Sequence, residues 1–251
     1  QNAESGIDTA RVVVLAHLTE NIIRNLNQFR GLIYAGNGGL GFKPRFTLGP
    51  DGGLELVPLT IPAPEQYDAF IRDPNTLLRH ETFAVGSAEG PRRARFPFAL
   101  SAAAAFTHPR MTAFFSGLPH YTRFYDPAHH AQGARLTGAI MEAFWRETKD
   151  QGRIGVPVII PTGLDIEFFR KTGNWAYQPL VDDLASRGVP ILDLGPIIEE
   201  RSRGEALSEY FAQADVSRHF SAKGYRLVAE AVRERVAALG PFGAPAQEHT
   251  P

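Results

Sequence analysis

The sequence predicts an α/β protein built on a parallel sheet with helices on both faces. Two observations lead there. Short, continuously apolar runs bounded by turn residues suit strands covered on both sides. Helical patterns lie between and after these runs, and strand–helix alternation argues for parallel pairing with right-handed crossovers.

Three runs read as strands: Arg11–His17, Val156–Pro161 and Val189–Leu194. A helix is expected over Thr137–Gln151, with Ile140, Met141, Phe144 and Trp145 on one face and Gly152 at its end. A second, Gln178–Arg187, enters with Pro179 near its first turn and stops at Gly188. A third, Ala222–Leu239, has Ser221 as cap and Tyr225, Val228, Ala229, Val232 and Val236 as apolar stripe.

Gly31–Arg135 breaks this rhythm. It holds an expected hairpin, Arg45–Leu48 with Leu54–Val57, turning through Gly49-Pro50-Asp51-Gly52-Gly53. A short helix around Glu65–Ile71 and a longer one around Leu100–Phe115 follow. The segment reads either as a lid or pocket wall over the sheet's carboxyl edge or as a structural excursion. Residues 1–240 are expected to form one domain with this insertion, and 241–251 a flexible tail.

Composition narrows the chemistry. The 251 residues are 43% apolar and 21% charged, ordinary for a globular domain. A formal net charge of −1 gives no electrostatic reason to expect nucleic acid or an anionic membrane as partner. There is no cysteine, which excludes disulfides, thiolate metal sites and cysteine nucleophiles but does not fix the compartment. No apolar run approaches the length of a membrane span. The histidines His80, His108 and His120 are scattered without ligand spacing. The adjacent His129 and His130 are expected to diverge, so no metal is expected. Arg92-Arg93-Ala94-Arg95 reads as a solvated basic loop, with binding of an acidic substrate group the lesser reading. No phosphate loop or dinucleotide fingerprint occurs.

The most informative stretch is Asp215-Val216-Ser217-Arg218-His219-Phe220-Ser221-Ala222-Lys223-Gly224-Tyr225, continuing to Val232. An acidic residue and a histidine precede a capped amphipathic helix. Serine-hydrolase chemistry needs a histidine to take the hydroxyl proton and an acceptor on its other nitrogen. The stretch resembles the last block of SGNH-type (GDSL-like) hydrolases. Three residues separate Asp215 from His219, where that family usually has two. A second resemblance lies in Val12–Asn21, where the family's strand ends in a loop whose asparagine helps hold the oxyanion. Asn21 is the candidate. Glu20 is the alternative occupant of that position, and Asn21 as cap of the following segment is the structural alternative.

The resemblance implies a flavodoxin-like, three-layer α/β/α fold and an ester hydrolase or O-acyltransferase needing no cofactor. The substrate would be a small-molecule, carbohydrate or lipid ester. His219 would act as general base and acid, Asp215 would orient it, and Asn21 would stabilise the oxyanion. The family's Gly-Asp-Ser block is not found, so its serine and first two strands are expected upstream of Gln1. No serine here has a nucleophile's surroundings: Val85-Gly86-Ser87-Ala88-Glu89-Gly90 lacks the first glycine of an elbow. The rival expectation is a non-catalytic SGNH-like binding or accessory domain. Asp165 after the second strand, and Asn174-Trp175-Ala176-Tyr177-Gln178, are read first as structural and second as pocket walls.

Overall fold

The computed structural model describes residues 10–33, 41–59, 63–73, 78, 80–212 and 219–240. The chain is mixed α/β. Strands β1 (Val12–Leu18), β4 (Ile154–Ile160) and β5 (Leu192–Asp193) form a three-stranded parallel sheet in the order β1-β4-β5. Strands β2 (Arg45–Leu48) and β3 (Leu54–Val57) form a separate antiparallel hairpin.

The chain divides into two compact units. One comprises residues 1–17, 141–166 and 184–251; the other comprises 18–140 and 167–183.

The first unit carries the parallel sheet. Val156, Val158 and Ile159 are fully buried on β4, the central strand. Pro157 has no N–H to give a ladder, and pairing with β5 begins one residue later, at Val158 against Leu192. The expected strand Val189–Leu194 shrinks to two residues for a similar reason. Pro190 cannot donate, and Asp193 accepts a hydrogen bond from the Gly195 N–H at 2.9 Å, opening the helix Leu194–Arg201. Strand β1 differs from the expectation of a strand covered on both faces: Val14 is 43% exposed.

The helix Gly133–Asp150 begins earlier than its apolar pattern suggested and ends before Gly152, which takes φ +68°. Strand β4 passes close beneath its last turn. A Cβ on Gly155 would fall 2.1 Å from Thr148 Oγ1, so only glycine admits this approach.

The helix Ala222–Ala238 is capped as expected, Ser221 Oγ accepting from the Gly224 N–H at 3.2 Å. Its buried face is Gly224, Leu227 and Ala231. The predicted stripe is therefore rotated by about one position: Tyr225 is 59% exposed. The close seat of Gly224 against the Tyr210 carbonyl fixes this rotation.

The second unit packs Ile22, Ile23, Leu26, Phe83, Phe124, Tyr125, Tyr177 and Leu180 as its core. A polar knot ties its segments together. Glu81 accepts from the backbone N–H groups of Gln28 and Phe29, while the Arg45 guanidinium donates to the carbonyls of Leu26 and His80. The hairpin has the expected bounds, with Arg45 opposite Val57 and Leu48 opposite Leu54. The expected helix Leu100–Phe115 is two helices, Phe98–Phe106 and Pro109–Ser116. Pro109 lacks the N–H that would continue the first, and it opens the second instead.

Candidate functional site

His219 lies in the first unit, three residues before the start of the helix Ala222–Ala238. Phe211 and Phe220 form an antiparallel bridge and stack with centroids 4.8 Å apart. The Ala212 N–H donates to the His219 carbonyl at 2.7 Å, and the Ser221 N–H donates to the Tyr210 carbonyl at 2.8 Å. The Ser221 hydroxyl, besides capping, donates to the Glu209 carbonyl. The backbone on both sides of the half-buried His219 is thus held by hydrogen bonds to residues 209–212.

The glycine five residues on completes this clasp. A Cβ on Gly224 would lie 2.2 Å from the Tyr210 carbonyl oxygen and 2.7 Å from the Phe220 ring. Lys223 pairs with Glu205, and its ammonium stands 4.5 Å from the Tyr210 ring centroid. The pattern His-Phe-Ser-Ala-Lys-Gly therefore has a local physical meaning: bridge, cap and close approach. Asp215 lies outside the described residues.

Asn21 belongs to the second unit. It ends a 3-10 turn, Thr19–Asn21, that follows β1. Tyr125, fully buried, donates its hydroxyl to the Thr19 carbonyl at 2.7 Å and pins this turn. Asn21 occupies the cap position of the short helix Ile22–Asn25, but its side chain makes no capping bond. Its Oδ1 is buried and has no hydrogen-bond partner. The capping alternative therefore does not account for this asparagine. Glu20, the other candidate for the oxyanion position, is buried and sits 3.8 Å from Arg24 one turn on.

A third group was not anticipated. The rings of His129 and His130 stack, with centroids 4.5 Å apart, where divergence was expected. A tight turn brings this about: the His129 N–H bonds to the Asp126 carbonyl, the Gln132 N–H to the His129 carbonyl, and Gln132 takes φ +52°. Both Nε2 atoms face Glu89, at 3.3 and 3.8 Å from Oε1. Ligand atoms of the three residues lie within 4.8 Å of one another, a spacing a metal ion can bridge.

Two contacts argue for a carboxylate–histidine pair instead. Arg123 already donates to the same Glu89 oxygen at 2.9 Å. The His129 Nδ1 accepts from the Ala131 N–H at 3.2 Å, which in a neutral ring places the proton on Nε2, the atom a metal would need bare. Burial lowers the His129 pKa, opposed by the charge of Glu89, so the neutral ring is favoured.

The remaining readings resolve locally. Thr162 and Asp165 form a reciprocal cap at the start of the helix Gly163–Thr172: Asp165 Oδ2 accepts from the Thr162 N–H at 2.7 Å, and Thr162 Oγ1 accepts from the Asp165 N–H at 3.3 Å. Trp175 stacks on Phe169 at 4.2 Å and neighbours Tyr177, inside its own unit. Ser87 donates to the Thr82 carbonyl and accepts from the Gly90 N–H, Ser101 bonds both backbone groups of Arg95, and Ser116 donates to the Ala113 carbonyl.

Compared with models of protein families, with curated proteins and with solved structures, the chain finds no match in any of the three.

Proposed function

We propose that these residues belong to an SGNH-type ester hydrolase with a flavodoxin-like, three-layer α/β/α core. The observation that carries the reading is the backbone clasp between residues 209–212 and 219–221, which holds His219 directly before a capped helix. Its bridge, cap and obligatory glycine give structural reasons for the very residues that resemble the family's last block. The parallel order β1-β4-β5 agrees with it. The Asn21 side chain makes no capping bond, so its amide is not committed to the helix it precedes.

The chemistry follows from the residue types. A serine hydroxyl attacks the ester carbonyl carbon and passes its proton to His219. Negative charge builds on the carbonyl oxygen, toward which the Asn21 amide donates. When the C–O bond to the alcohol breaks, His219 returns the proton to the leaving oxygen. Water, or another alcohol in acyl transfer, then repeats the sequence on the acyl-serine. Asp215 is assigned the orientation of the imidazole. The reading concerns a protein that also carries the Gly-Asp-Ser block, which residues 1–251 do not contain.

The test is hydrolysis of a short-chain aryl ester by the protein with that block present, beside its His219→Ala variant. A fall in turnover of about 10³-fold or more is expected. Equal rates would remove His219 from the mechanism. Absence of the block from the coding region immediately upstream would favour a non-catalytic SGNH-like domain.

A further inference from the structure

The second unit carries a face that its own packing does not explain. Between Glu89 and Asp126 the sequence holds no aspartate or glutamate, yet it holds Arg92, Arg93, Arg95, Arg110 and Arg123. Over the same stretch Phe124 and Tyr125 belong to the core, but several other large apolar side chains turn outward. Phe96 is 87% exposed, Phe98 65%, Leu100 67%, Phe106 61% and Phe115 65%. The helix Phe98–Phe106 buries none of its residues. A nine-residue apolar helix left in water is costly, and apolar patches of this kind mark interaction surfaces.

The arginines divide into two kinds. Arg92 donates to the Ala104 carbonyl at 2.9 Å and to Thr107, Arg110 donates to the Leu32 carbonyl at 3.0 Å, and Arg123 pairs with Glu89. These hold the fold. Arg93 and Arg95 are exposed, and among the described residues neither guanidinium has an ion-pair partner. They flank Phe96 and Phe98, whose rings meet edge to face at 6.2 Å. Together with Leu32, Pro97, Ala105 and Met111 they line a cavity of about 970 Å³, a volume in the range of small-molecule sites.

We propose that this face docks on an anionic phospholipid bilayer. Apolar side chains enter the headgroup–acyl boundary while unpaired cations meet lipid phosphates and carboxylates, the pairing by which interfacial segments hold to charged membranes. Charge selects the occupant. A second copy would bring the same run of arginines against this one, with no carboxylate in the stretch to meet them. A neutral partner would leave Arg93 and Arg95 without counter-charge. No described helix is long and apolar enough to cross a membrane, so the attachment is peripheral.

The docking is independent of the esterase reading, and the experiment separates the two. The full chain is sedimented with vesicles of phosphatidylcholine alone and of phosphatidylcholine mixed with phosphatidylserine. Binding to the mixed vesicles is expected, weakened by salt. R93Q/R95Q is expected to bind them about thirtyfold more weakly, and Phe96→Ser with Phe98→Ser to abolish binding. Circular dichroism of each variant should match the parent, because all four side chains are exposed. His219→Ala should bind as the parent does. Three results would overturn the proposal: no sedimentation with either vesicle, equal binding to both, or a parent chain that self-associates in solution and is released to monomer by the phenylalanine substitutions.

Discussion

Gly224 sits so close to Tyr210 that a methyl group on its Cα would stand 2.2 Å from that residue's carbonyl oxygen. In an unencumbered helix, alanine in place of glycine gains about 1 kcal/mol. Here the contact is with backbone, which cannot swing aside. Gly224→Ala is therefore expected to lower stability by about 1–3 kcal/mol, read from the denaturant midpoint. A gain would show that the Tyr210 backbone is not seated on the helix.

Asn21 offers a separation of stability from chemistry. Loss of a true cap costs about 1 kcal/mol, but the Asn21 side chain makes no capping bond. Asn21→Ala should leave the melting temperature nearly unchanged while lowering ester turnover about 10²–10³-fold, the size of a lost oxyanion donor. A large drop in stability with turnover intact would return Asn21 to a structural role.

His17 gives the first unit a dependence on acid. Burial lowers its pKa from 6.5 to about 4. Above pH 6.5 the ring is neutral in both folded and unfolded chains, and its contribution is fully present. As pH falls from 6.5 toward 4, the unfolded chain takes up a proton that the folded ring refuses, so stability declines, by up to about 3 kcal/mol, and levels off below that range. In the second unit, burial and then the charge of Arg110 lower His120 to about 4, with the same sign. Thermal unfolding between pH 7 and 4 should show a shallower acid decline in His17→Gln than in the parent. Parallel curves would mean that the ring titrates normally.

Glu81 works in the opposite direction. Burial raises its pKa to about 7, against two backbone N–H donors and the charges of Arg45 and Lys43 that lower it. Its contribution is present below pH 4.5 and is lost as pH rises through about 7, because the unfolded carboxyl ionises first. Glutamine can keep the acceptor toward Gln28 and Phe29 and replaces Oε2, which is buried without a hydrogen-bond partner. Relative to the parent, Glu81→Gln should therefore gain stability on going from pH 5 to pH 8, by on the order of 2–3 kcal/mol. A difference independent of pH would place the carboxyl in its ordinary range.

What could be read from the chain beforehand was what neighbours in sequence decide. The hairpin turn around Gly52, the Ser221 cap and the stops at Gly152 and Gly188 depend on one turn of backbone, and residue chemistry specifies them. Where distant residues decide, the reading failed. The stripe of the last helix depends on how Gly224 meets Tyr210, fourteen positions earlier. The convergence of His129 and His130 needs Glu89, forty positions away, and a left-handed Gln132. The break at Pro109 is local and legible, since proline lacks the N–H that would continue a helix, yet the expected single helix ran through it. Net charge concealed most of all: a value near zero averaged away a stretch of 36 residues with five arginines and no acid. At the candidate site, His219 and Asn21 follow from the resemblance to SGNH-type hydrolases, but the clasp around one and the unpartnered oxygen of the other required coordinates.

The rungs from Ala212 to the His219 carbonyl and from Ser221 to the Tyr210 carbonyl tie the backbone at the histidine to residues 210–212, and the Ser221 hydroxyl ties the start of the last helix to Glu209. The helix therefore cannot shift along its axis without dragging or breaking those rungs. Whatever displaces the helix displaces the backbone at the histidine with it.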